Sequence, residues 1–134
     1  RVGYGLCGDA AVKTAVDQVR QPFFCNAVAQ AAALEALEHG DEIESRVEDT
    51  IAEREVLATG LRGLGFGVAD SAANFLWVRL PAGADEETVV RELASRSILV
   101  RAGTALGEAG SLRITVGTPE QHRRLLDALG DILG

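Results

Sequence analysis

Apolar residues recur at helical spacing in five stretches of the chain and alternate with polar ones in shorter runs between them. Val12, Ala15, Val16 and Val19 follow Asp9, whose carboxylate suits a helix N-cap. Pro22 ends that helix, because the residue before a proline avoids the helical region, and "QPFFC" reads as an apolar loop. Asn26 can cap the alanine-rich "AVAQAAALEALEH", which is expected to stop at Gly40. Residues 41–64 carry the longest pattern, with Ile43, Val47, Ile51, Leu57, Leu61 and Leu64 on one side. Such a helix is roughly 35 Å long at 1.5 Å per residue, enough to join two domains. "DEETVVRELASR" (85–96) predicts a helix with Asp85 as its cap. The acids in its first turn suit the helix dipole. Thr118, Pro119 and Gln121 mark the start of a last helix, made amphipathic by Leu125, Leu126, Leu129, Ile132 and Leu133.

Strands are predicted at "NFLWVRL" (74–80), "SILVR" (97–101) and "SLRITVG" (111–117). In the last, Leu112, Ile114 and Val116 share one face, and Arg113 and Thr115 the other. "RVGYGLCG" (1–8) reads as a short buried strand whose glycines admit close approach. From residue 41 the order is helix, strand, helix, strand, strand, helix, which makes a two-layer α+β unit. The first 40 residues read instead as the remnant of an α/β unit. The expected division is therefore 1–40 and 41–134, with 41–64 as the helix between domains.

A net charge of −7 argues against nucleic acid or an anionic membrane as a partner. No apolar run approaches the ~20 residues that span a bilayer. The chain holds no methionine, which suggests a fragment or a trimmed product. Cys7 and Cys25 fit no metal or redox spacing and are expected to be reduced, mostly buried thiols of a cytoplasmic protein. His39 and His122 lie among charged residues and are expected on the surface. The acid pairs Glu48/Asp49 and Glu86/Glu87 are expected on solvated helix faces. No metal set and no phosphate-binding glycine loop is present in the sequence.

Arginines are the more informative residues. Arg1 stands at the edge of a glycine-rich segment, Arg101 closes a strand and opens the loop "AGTALGEAG", and Arg113 lies mid-strand. The guanidinium fork matches carboxylate and phosphate, so three of them at strand ends would make an anion site if they met. Spacing alone does not show that they meet.

Taken in order, "RVGYGLCG…VRQPFFCNAVAQAAALEAL", "ANFLWVRLP", "ILVRAG" and "LRITVGTPEQ" resemble the C-terminal part of the histidinol-phosphate aminotransferases. These are fold-type I enzymes dependent on pyridoxal phosphate. The resemblance covers the whole chain, and "ANFLWV" and "LRITVGTPE" are its most specific parts. It implies that Arg1 reaches the cofactor phosphate and that the lysine bonded to the cofactor precedes residue 1. Lys13, the one lysine here, is not a substitute for it. It implies that Arg113 grips the substrate's phosphate or carboxylate, with Arg101 beside it. Gln21, Phe23 and Asn26 would line the pocket near a dimer interface. Family members often carry a tyrosine where this chain has Phe23 or Phe24, which leaves the fine specificity open. The implied enzyme is a cytoplasmic homodimer that takes an amino donor and a 2-oxo acid, and these 134 residues alone are expected to be inactive. Two other readings remain at this point. The same scaffold could serve aromatic amino-acid transamination or phosphothreonine decarboxylation, or the chain could be a non-catalytic α+β binding module.

Overall fold

The computed structural model describes residues 2–21 and 24–134. Its elements are α1 (Ala10–Val19), α2 (Ala27–Glu38), α3 (Gly40–Gly63), β1 (Gly67–Val68), β2 (Phe75–Arg79), α4 (Glu86–Ser95), β3 (Arg101–Ala102), a single 3-10 turn at Thr104–Leu106, β4 (Ser111–Thr115) and α5 (Pro119–Leu133). The chain divides into two compact units, Arg1–Ser45 and Arg46–Gly134, and α3 contributes residues to both.

Helix starts follow local chemistry. Asp9, Asn26 and Asp85 each accept a backbone N–H of the first turn, from Ala11, Ala29 and Thr88, at 2.7–2.8 Å. α5 opens on a full capping box: Gln121 N–H donates to the Thr118 hydroxyl at 3.3 Å, and Thr118 N–H donates to the Gln121 side chain at 2.9 Å. Helix ends departed more from expectation. Gly40 does not terminate α2; His39 is the C-cap, and Gly40 begins α3 without entering the left-handed region. The left-handed stop comes at Gly65 (φ 84°), where Phe66 N–H reaches the Leu61 carbonyl and Gly65 N–H that of Arg62.

In the first unit, the described part of the strand expected at 1–8 is not formed: Val2 to Leu6 are exposed and join no ladder. A strand is stabilised by the neighbour it bonds to, and none of the described residues offers that edge. No described residue of this unit is buried. Cys7 is exposed and Cys25 half-buried, so neither is the buried thiol that the sequence suggested.

The second unit is a four-stranded antiparallel sheet, in the order β1-β2-β4-β3. Period-2 alternation turns Leu76 and Val78 of β2 and Leu112 and Ile114 of β4 toward one face. There they join Leu57 and Leu61 of α3, Val89 and Leu93 of α4, and Leu125 and Leu129 of α5 in one core. Gly60 lies so close to Leu126 of α5 that a Cβ there would displace it. The strand expected at 97–101 shrinks to Arg101–Ala102 because its first residues finish α4. Ser97 adopts φ 59°, and Ser97 and Ile98 N–H groups bond back to the Ala94 and Leu93 carbonyls. β1, two residues long, was not foreseen.

Candidate functional site

The helices cover one face of the sheet; the other carries the alternate residues. On β2 these are Phe75, Trp77 and Arg79, and on β4 Ser111, Arg113 and Thr115. Strand register then does what spacing could not. Trp77 pairs with Arg113 across β2 and β4, and Arg113 pairs with Arg101 across β4 and β3. Directly opposed residues on one face stand about 4.5–5.5 Å apart at Cβ, so the two arginines are immediate neighbours. Like charges so placed repel unless an anion or a counter-charge lies between them.

Arg113 is half-buried, and its guanidinium carbon sits 4.2 Å from the centre of the Phe75 ring. The ring supports one side of the fork. The Nε of Arg113 is buried and has no hydrogen-bond partner. A buried donor left unpaired is costly, which makes it the strongest sign of a missing acceptor at this place. Arg101 is exposed, and among the described residues it has no carboxylate partner.

The loop that joins the two arginine strands is held from α4. Glu86 accepts the Thr104 N–H at 3.0 Å and the Gly110 N–H at 2.6 Å. Burial pushes its carboxyl up, but these backbone donors outweigh it and hold the group below its ordinary range.

His122 departs from expectation: it is buried rather than exposed. Gly117 N–H donates to its Nε2 at 2.8 Å, and its Nδ1 lies 3.0 Å from Glu53. A backbone N–H can only donate, so Nε2 is the bare nitrogen and Nδ1 carries the proton toward Glu53. The ring thereby ties the turn after β4 to α3. The signal was present in the sequence: His122 lies three and seven residues before Leu125 and Leu129, on the apolar stripe of α5. A cleft of about 280 Å³ beside this ring, between Ser97–Val100 and Ile114–Gly117, contains neither arginine. Both ring nitrogens of His122 are already engaged, so the cleft gains no free polar group from it.

The structure brings Arg101 and Arg113 together. Asn26 and Gln21 are exposed in the first unit, where the Asn26 side-chain oxygen is committed to capping α2. Arg1 and Phe23 lie outside the described residues. Sequence reasoning missed Trp77, Phe75 and Arg79, although the alternation in "FLWVR" puts them on the arginine face. Among the described residues no group of histidine, cysteine and acids is placed to hold a metal, and no helix is long and apolar enough to cross a membrane.

The family model for aminotransferase class I and II matches residues 1–129. A histidinol-phosphate aminotransferase of Streptomyces avermitilis is 41% identical over 132 residues, 98% of this chain and 34% of its own length. An aromatic amino acid aminotransferase of Mycolicibacterium paratuberculosis is 40% identical over 126 residues, 94% of this chain and 34% of its own. Among solved structures, the histidinol-phosphate aminotransferase of Sinorhizobium meliloti in complex with pyridoxal-5'-phosphate superposes with a TM-score of 0.75 at 23% identity, over 92% of this chain and 34% of that one. The chain thus spans about a third of the length of the curated relatives it matches.

Proposed function

Since this chain belongs to the aminotransferase class I and II family, we propose that the whole protein transfers an amino group between histidinol phosphate and 2-oxoglutarate, and that this chain's part is to hold the substrate's anion. The observation that carries the reading is the Arg101–Arg113 rung, with the unpartnered Nε of Arg113 at its buried end. A phosphate or a carboxylate placed there accepts from both forks and relieves their repulsion. Arg113 serves the phosphate in one half-reaction and the carboxylate of glutamate in the other.

Class I and II aminotransferases depend on pyridoxal phosphate, which supplies the electron sink when bound. The described residues do not fit its aldehyde or its ring. Lys13 bonds to Asp17 at 2.8 Å on an exposed helix, so it is not the bonding lysine. What this chain contributes is orientation of the substrate. In the same reading residues 41–134 form the small domain, residues 1–40 belong to the large one, and the enzyme is a cytoplasmic homodimer. Arg1 holds the cofactor phosphate, and Gln21, Phe23 and Asn26 line the pocket.

The test has two arms. In the full-length protein, Arg113→Ala should raise KM for both histidinol phosphate and glutamate, on the scale of ~1.5–3 kcal/mol for a lost charged hydrogen bond. Unchanged constants for both would sink the site. The purified 134-residue chain should show neither turnover nor a lysine-aldimine absorbance band with added cofactor, and either signal would overturn its assignment as the orienting part alone. A second reading, aromatic amino-acid transamination, is favoured by the relative that is 40% identical. Turnover of phenylalanine ahead of histidinol phosphate as amino donor to 2-oxoglutarate would select it.

A further inference from the structure

Glu108, in the loop between β3 and β4, gathers the remaining side chains of the open face. Its Oε2 accepts the Trp77 indole N–H at 3.1 Å. Its Oε1 accepts from Arg79 Nη2 at 2.9 Å and from the Ser111 hydroxyl at 3.3 Å. The loop that carries it is fixed. Gly103 N–H donates to the Ser111 carbonyl at 2.8 Å and Glu108 N–H to the Gly103 carbonyl at 3.0 Å. At Gly103 a Cβ would collide with both the Glu108 and the Ser111 carbonyls, so the turn takes no other residue without moving. Glu86 anchors the same loop through Thr104 and Gly110.

Glu108 therefore stands close to the arginines. Ser111 precedes Arg113 by two residues on the same face, a separation of roughly 7 Å, and Trp77 is the cross-strand partner of Arg113. A fixed carboxylate at that range is a rival for any anion that Arg101 and Arg113 would hold. What holds it back is Arg79, which faces Ser111 on the neighbouring rung, one step away from the Arg101–Arg113 pair. The Arg79–Glu108 pair cancels its own charge and leaves the other two guanidiniums uncancelled.

We propose that Arg79 is a positioning residue: it retains the Glu108 carboxylate, which fixes the Trp77 indole as a wall, and so keeps that carboxylate out of the anion site formed by Arg101 and Arg113. This rests on the anion-site reading above. The pair is exposed, Arg79 at 74% and Glu108 at 46%, so it adds little to stability and its loss leaves the fold intact.

The experiment is a mutant cycle in the full-length protein, read by KM and kcat with glutamate and by calorimetric titration of inorganic phosphate. Arg79→Ala should weaken both glutamate and phosphate by roughly three- to tenfold, with kcat little changed, a range typical of coupling between neighbouring charges. Adding Glu108→Gln in the same chain should restore both, because the rival charge is gone while the acceptor for Trp77 remains. Arg79→Lys should rescue as well. A double variant as weak as Arg79→Ala, or an Arg79→Ala protein with unchanged binding, overturns the proposal. If Arg113→Ala weakens neither ligand, the anion site itself is wrong and this inference goes with it. If Arg113→Ala weakens both but the cycle shows no rescue, only the role of Arg79 fails.

Discussion

The two units of this chain use hydrophobic residues in opposite ways. In Arg46–Gly134, Leu57, Leu61, Leu93, Leu112 and Leu129 are fully enclosed between three helices and a sheet. In Arg1–Ser45, helices of similar apolar content bury nothing: Val16, Val28, Leu34 and Leu37 are all more than half exposed. Helical propensity and good caps suffice to write a helix into both. Only the second unit brings a sheet whose alternation gives the helices something to cover. The lesson is that an amphipathic helix records a demand for a partner, and the partner must be supplied elsewhere.

That contrast can be broken by substitution, and the largest effect should come from the core. Leu61→Ala in the 134-residue chain should cost about 2–5 kcal/mol of unfolding free energy in chemical denaturation. Leu34→Ala, at a position 67% exposed in α2, should stay within about 0.5 kcal/mol in the same assay. A loss of several times that at Leu34 would show that the first unit has packing of its own. A subtler effect concerns pH. The Glu86 carboxyl is held below its ordinary value, so its contribution is fully present above the ordinary carboxyl range and is lost as pH falls through that range toward the folded value. Glu86→Gln should therefore lower the denaturation midpoint at neutral pH, and the gap to the parent should narrow by about pH 3. A gap that stays constant over that range would mean that the Thr104 and Gly110 bonds do not depend on the carboxylate charge.

What could be read from the sequence was local. The caps at Asp9, Asn26, Asp85 and Thr118 depend on residues two or three positions away, and all four form as expected. The two faces of β4 followed from its alternation. What could not be read was set by distant pairing. Residues 2–8 have the composition of a strand, but no described residue offers them an edge to join. The meeting of Arg101 with Arg113 depends on antiparallel register across a turn held by Glu86, which no spacing rule reports. Glu108 carries no local signal that singles it out, because Trp77 and Arg79, which converge on it, lie far off in the chain on β2. His122 was the avoidable miss, since the charged residues beside it in sequence masked its place on the apolar stripe.

Trp77 is the one tryptophan of the chain, and its indole N–H points at a carboxylate while its cross-strand partner is a guanidinium. An indole so placed lies in a strong and directed local field, and the colour of its emission follows that field. A charge that binds at the neighbouring arginines should therefore shift the emission of this side chain, which a fluorescence titration with inorganic phosphate would check. Trp77 would then serve as an optical gauge built into the rung it reports on, with no dye attached.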